Sequence, residues 1–310
     1  MRFRTMICIL IVLPSLAASD ESWYPSKYGA GDTLGAINEL SPEGVLAAAR
    51  LVKTGKTYAL GVETGRDTPA YGTREFQLFT VASGDGSGAA MGKNAATFND
   101  DWMLAWLGIG TQIDGLGHFG IDHVYYNGNR VEDFWRADGL AKFGTHELPP
   151  IVTRGVLLDA ARYRGVERLE GGSEITRKEV EGIAKKQGVT LRAGDVVIFN
   201  TGYQALAASD PAAFLASEPG PGVEAAEYLA SLGVVAVGAD TFGLEVHPGK
   251  DPEVIFPVHQ VLLAKNGIYI LENIRTDELA ADRAYEFLFV LGAPRFVGAV
   301  QMVVNPVAIR

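Results

Sequence analysis

Short runs of nearly unbroken apolar residues restrict what this chain can fold into. Gly155-Val156-Leu157-Leu158-Asp159, Asp195-Val196-Val197-Ile198-Phe199-Asn200, Val234-Val235-Ala236-Val237-Gly238-Ala239-Asp240 and Ile268-Tyr269-Ile270-Leu271-Glu272 are each about as long as a strand. None alternates apolar with polar, so each strand needs cover on both faces. Lys56 to Gly61, Phe76 to Ala82, Phe287 to Leu291 and Ala299 to Val304 read as further strands. Helices are fewer. Ser41-Pro42-Glu43 combines an N-cap serine, a proline at the first helical position and an acid at the positive end of the dipole. Thr176-Arg177-Lys178-Glu179 is a capping box, and the helix it opens stops near Gly188. A third helix runs from about Pro221 to Leu232. No internal repeat and no long linker divides the chain. The expectation is one α/β domain with a mixed, barrel-like sheet core flanked by helices.

Ahead of this domain, Arg2 and Arg4 precede an apolar run from Met6 to Leu13, and small residues follow at Ser15, Ala17, Ala18 and Ser19. That is the pattern of a secretory signal peptide over residues 1–19, leaving residues 20–310 as a secreted or periplasmic protein. The run is too short to span a bilayer, and no later segment reaches about 18 unbroken apolar residues. Cys8 is the only cysteine and falls inside the leader, so disulfides, thiolate metal sites and a cysteine nucleophile are excluded from the mature chain. Formal charge is -10, and loss of Arg2 and Arg4 makes it -12. An acidic chain without basic clusters argues against nucleic acid or an anionic membrane as partner.

Chemistry concentrates in Gly108-Ile109-Gly110-Thr111-Gln112-Ile113-Asp114-Gly115-Leu116-Gly117-His118-Phe119. So many glycines disfavour a helix interior and suit a bent backbone or one that is closely approached. Gln112, Asp114 and His118 can bind metal or move protons; a glycine-rich turn with solvated polar residues is the plainer reading. No Gly-x-Ser-x-Gly elbow and no phosphate-binding loop occurs. Gly115-x-Gly117-x-x-Gly120 has dinucleotide spacing, but no helix pattern follows it. Downstream, His259 sits in Phe256-Pro257-Val258-His259-Gln260, and Glu272 closes an apolar strand where an unpaired carboxylate is costly to bury. A bound cation satisfies it; so does a salt bridge to Arg275 or Lys265. Trp102, Trp106, Phe119, Tyr125 and Tyr126 flank the motif as candidate walls of an aromatic pocket, or as core.

Gly110-Thr111-Gln112-x-Asp114-x-x-x-His118, with His259 and Glu272, resembles the metal-dependent cyclase family, which includes bacterial kynurenine formamidase and isatin hydrolase. The likeness continues through Gly31-Asp32-x-Leu34-Gly35-Ala36-Ile37-Asn38, Arg154 to Asp159, Gly194 to Gly202 and Gly238 to Thr241. Within the family's His-x-Gly-Thr-His-x-Asp-x-Pro-x-His segment, this chain has Gly108, Gln112 and Leu116 in place of the first two histidines and the proline. Gly144-Thr145-His146 mimics part of the motif but lacks the aspartate that should follow. The resemblance implies the family's swivelling β/β/α fold and hydrolysis at an amide, formamide or lactone carbonyl by metal-activated water. It implies Asp114, His259 and Glu272 as metal ligands, Gln112 as a weaker ligand through its amide oxygen, and His118 as general base or acid. Phe119, Tyr126 and Gln260 are expected at the substrate, with His123 and Glu245 as further candidates. Oxygen donors in place of imidazole favour one divalent ion, with manganese ahead of zinc. Family members are commonly oligomers, so a dimer or tetramer is expected. The competing reading is a secreted small-molecule-binding protein on the same fold with a degenerate hydrolytic site.

Overall fold

The apolar runs form the middle of one large sheet. The structure is a computed structural model that describes residues 23–83 and 85–310; the expected leader over residues 1–19 lies outside the described residues. Nine strands make the sheet: β1 (Thr57–Ala59), β2 (Gln112–Asp114), β3 (Ile151–Asp159), β4 (Val196–Asn200), β5 (Ala236–Ala239), β6 (Tyr269–Glu272), β7 (Glu286–Leu291), β8 (Gln301–Val303) and β9 (Val307–Ile309). Their order is β1-β9-β7-β3-β4-β5-β6-β2-β8. The central strands β3 to β6 run parallel, and the strands on either side add antiparallel. The sheet curls into a half-barrel flanked by helices.

This mixed pattern follows from the sequence. Residues of β4, β5 and β6 are buried throughout, as strands covered on both faces must be. Parallel neighbours need crossovers, which helices supply. Helix α1 (Pro42–Ala49) lies against β3 and β7, and Ser41 caps it by accepting the Gly44 N–H. Helix α2 (Arg177–Gln187) connects β3 to β4; its Thr176/Glu179 capping box forms as expected, and Gly188 ends it in the left-handed conformation. Helix α3 (Val223–Ser231) connects β4 to β5 and packs on α2.

Two expectations are refined. Phe76–Ala82 is a strand, but it pairs with Asn99–Ala105 in a separate two-stranded arm rather than joining the sheet. Residues 85–98 lie between the two strands of that arm, and Leu78, Phe79, Trp102 and Leu104 are exposed along it. The strand expected over Ala299 to Val304 is the shorter β8, and the chain then continues into β9, between β1 and β7. Among the described residues no helix is long and apolar enough to cross a membrane.

Candidate active site

Strand β2 places the motif. It lies between β6 and β8, with Gln112 opposite Glu272 and Asp114 opposite Gln301. Side chains alternate along a strand and directly opposed residues share a face. Ile113 therefore enters the core, while Gln112, Asp114, Glu272 and Gln301 point to one side. The glycine-rich approach to β2 is pinned to the end of β6. The Thr111 hydroxyl donates to the Asn273 carbonyl and accepts the Val62 N–H, and the Asn273 side chain donates to the Gly110 carbonyl. Gly110 has φ +63°, and a Cβ there would lie 2.1 Å from Thr64 Oγ1, so glycine is required.

Asp114 is fully buried. Its Oδ1 accepts two amide N–H groups, from Gln301 at 2.7 Å and Gln112 at 3.0 Å. Among the described residues its Oδ2 is buried without a hydrogen-bond partner. The Gln112 amide nitrogen therefore faces the carboxylate. Gln301 occupies the space Gly108 leaves open: a Cβ at Gly108 would sit 2.5 Å from Gln301 Oε1. The Gln301 Nε2 also lies 3.4 Å from His118 Nε2.

His259 arrives from the crossover between β5 and β6. Phe256, with φ +46°, breaks the chain into a short helical turn at Pro257–His259 that runs on as a π-helix over Gln260–Lys265. π-Helical turns of this kind gather at functional sites. The Glu245 carboxylate accepts the Val258 and His259 backbone N–H groups, each at 2.9 Å, and approaches His259 Nδ1 at 2.7 Å. A carboxylate holding Nδ1–H fixes the ring and turns Nε2 inward. There Nε2 lies 3.3 Å from Glu272 Oε1 and 3.7 Å from Asp114 Oδ2.

The electrostatics are dominated by buried acids. Burial alone would lower the His259 pKa, but Glu245 and Glu272 outweigh it and raise it to about 10. Burial, reinforced by the Asp114 charge, lifts Glu272 to about 7. Glu218 is also fully buried; burial pushes its pKa well up, and its Oε1 has no partner. Burying this many carboxylates around one imidazole is costly unless a cation joins them. The orphaned Asp114 Oδ2, beside the inward Nε2 of His259 and Oε1 of Glu272, offers a hard cation a mixed nitrogen and oxygen donor set. The residues present therefore fit a divalent ion. Asp114, His118 and His259 also place one donor atom each within 4.8 Å of one another.

His118 differs from His259. Burial depresses its pKa to about 4, so it is a neutral imidazole at pH 7. It lines a groove of about 750 Å³ together with Arg74, Leu104, Trp106, Leu107 and Gln301. On the other side of the imidazoles, Phe119 and Phe256 pack against His259 with ring centroids 5.1 and 5.2 Å away. Tyr71 stacks on Phe242 and meets the edge of Phe256.

The model of the Cyclase family matches residues 46–246. The chain belongs to the Cyclase family. A crystal structure of a novel cyclase superposes on this cyclase with a TM-score of 0.83 at 31% identity, covering 92% of this chain and 98% of that one. An isatin hydrolase bound to the product analogue thioisatinate is similar at TM-score 0.64 and 19% identity, covering 87% of this chain and 98% of that one. Isatin hydrolase A from Ralstonia solanacearum gives 0.61 at 20% identity, with coverage of 87% and 98%. No curated protein matches the chain.

In this cyclase Gln112, Asp114, His118, Phe119, His259 and Glu272 come together, and Glu272 pairs with His259. The alternative partner Arg275 is engaged by Asp277 and Glu278 instead. Tyr126 does not join them. It is buried in the core, and its hydroxyl bonds to Ser26 and Asp32, because that ring anchors the N-terminal turn. Gln260 is half-buried and donates to the Gly120 carbonyl at 3.3 Å, and His123 is exposed. His146 accepts the Gly298 N–H, and among the described residues it belongs to no cluster of metal-binding side chains. Glu218, Gln301 and Arg74 are members of the site that no sequence motif singles out. Only Gln301 leaves a trace, as the lone polar residue in Ala299-Val300-Gln301-Met302-Val303-Val304.

The fit of Gln301 against Gly108 gives a testable coupling. Gly108→Ala is expected to weaken divalent-metal binding by roughly tenfold, the range for disturbing an outer partner of a ligand. In a Gln301→Ala background, where space is free, the same change should cost little. Titration of Mn²⁺ into the four proteins by calorimetry measures this coupling, and equal costs in both backgrounds would disprove the contact.

Proposed function

We propose that this cyclase is a metal-dependent hydrolase that opens or cleaves a carbonyl bond of a small substrate: a cyclic amide, a formamide or a lactone. The observation that carries the reading is the orphaned, fully buried Asp114 Oδ2 facing the inward Nε2 of His259. Asp114, His259 and Glu272 would hold one divalent ion. When bound, the ion supplies Lewis acidity, acidifying water and polarising a carbonyl. The oxygen-rich donor set favours manganese over zinc.

The chain's own residues do the rest. Glu245 orients His259 through Nδ1, and the Gln112 and Gln301 amides hold Asp114 Oδ1, leaving Oδ2 alone for a ligand role. With both amides on one oxygen, a single ion per chain is expected. His118, neutral and facing the groove, accepts a proton from the attacking water and returns it to the leaving group. Phe119 and Phe256 shield the imidazole side of the site from water.

Exhaustive dialysis against a chelator is expected to abolish hydrolysis across a panel of aryl formamides, cyclic imides and lactones. Added Mn²⁺ should restore it at one ion per chain, as read by elemental analysis. Activity that persists undiminished in metal-free protein would overturn the proposal.

A further inference from the structure

Among the described residues only three arginines are not exposed: Arg74, Arg154 and Arg310. The buried Arg154 meets Asp195 and Glu286, and the half-buried Arg310 donates to the Asp282 carbonyl. Several exposed arginines, Arg130, Arg164, Arg177 and Arg275 among them, pair with a neighbouring acid. Arg74 is half-buried, yet among the described residues it makes neither a hydrogen bond nor an ion pair. The neighbouring Glu75 lines the same groove, and among the described residues no ion pair joins the two.

Its position connects it to the site. Arg74 lines the groove of about 750 Å³ that also exposes His118 and Gln301. The backbone beside it is fixed, because the Trp106 N–H donates to the Glu75 carbonyl at 3.1 Å where the two strands of the arm begin. Its charge reaches both His118 and Glu272. The groove is also lined by Leu104, Trp106 and Leu107, with Glu75 and Gln77 beside them, and Leu104 and Trp106 are more than half exposed. The groove thus brings together the proton-transfer histidine, apolar side chains and a free planar cation.

Resting on the hydrolase reading above, we infer that Arg74 selects substrates carrying an acidic group, a carboxylate set on a flat apolar body and separate from the carbonyl that is cleaved. A guanidinium fork matches a carboxylate with two parallel N–H donors, which a lysine cannot reproduce. The acid group satisfies the unpaired cation while the apolar body covers Leu104 and Trp106. The scissile carbonyl is then presented towards His118. Without Arg74 an anionic substrate would meet only the buried acids around His259, which repel it.

The test uses the full protein in Mn²⁺ buffer with benzoate and the three benzenedicarboxylates as probes, titrated by calorimetry. One dicarboxylate isomer is expected to bind roughly tenfold or more tightly than benzoate, the scale of one charged hydrogen-bonded contact. Arg74→Gln should remove that advantage, and Arg74→Lys should retain part of it. The assignment is overturned if no dicarboxylate exceeds benzoate, or if the advantage survives in Arg74→Gln. A separate Mn²⁺ titration of the same proteins reports on the hydrolase reading. Absence of metal binding there would sink that reading, while the comparison of acids still decides the role of Arg74.

Discussion

His118→Ala is expected to slow hydrolysis by about 10²–10⁴-fold, the usual cost of losing a general base. Metal affinity should change by less than about tenfold, since His118 stands outside the proposed ligand set. The two effects separate because the two imidazoles live in different fields. His259 is wedged between Glu245 and Glu272, which hold its proton, whereas at His118 burial outweighs the nearby Asp114 charge and lowers the pKa to about 4. A neutral ring that faces the groove, with the Gln301 amide 3.4 Å from Nε2, can accept a proton from a substrate-side water. Single-turnover rates alongside Mn²⁺ titration measure both quantities. Loss of metal together with turnover would move His118 into the ligand set, which its 4.8 Å grouping with Asp114 and His259 makes a sharp alternative. An unchanged low rate with intact ligand binding would mark a binding protein on this fold.

Much of the scaffold is legible in the amino-acid order because its signals are local. An apolar run of strand length without alternation has one stable outcome, a strand covered on both sides, and β3 to β6 obey it. The Thr176/Glu179 box and Gly188 mark helix ends through backbone hydrogen bonds that neighbours in sequence provide. The arm formed by Phe76–Ala82 is legible as a strand but not as an outlier, since its exposure depends on what fails to pack against it. The site behaves likewise. Asp114 and His118 carry a spacing, and His259 and Glu272 stand out by interrupting apolar segments. Gln301 becomes meaningful only when β8 lays it opposite Asp114 and against the empty face of Gly108. Glu245 acts on a histidine fourteen positions away, across chain that folds back on it, and Arg74 is notable for contacts it lacks. Neither property has a local pattern. Tyr126 shows the reverse error: an aromatic beside a motif in sequence faces the other way, because the turn between them redirects the chain towards Asp32.

The second large effect concerns His259, whose removal should damage both stability and metal binding. In His259→Ala, Glu245 loses its ring partner, and Glu272 and Asp114 lose the only imidazole among the described residues that faces both of them. All three acids are at most 3% exposed, so none can turn to water without local unfolding. Breaking a buried charge pair by deleting one partner costs about 3–5 kcal/mol. At roughly 2–4 °C per kcal/mol for a domain of this size class, the melting temperature should fall by something on the order of 10 °C. The cavity left by the ring adds to the loss, while protonation of Glu272, already lifted to about 7 by burial, softens it. Mn²⁺ should stabilise the parent protein in proportion to the logarithm of its concentration over Kd and leave His259→Ala unmoved, because a ligand that binds only the folded site shifts stability by mass action. Thermal melts with and without Mn²⁺ test both parts at once. A variant that melts like the parent and still gains stability from the metal would show that the buried acids are satisfied by something other than His259 and its ion.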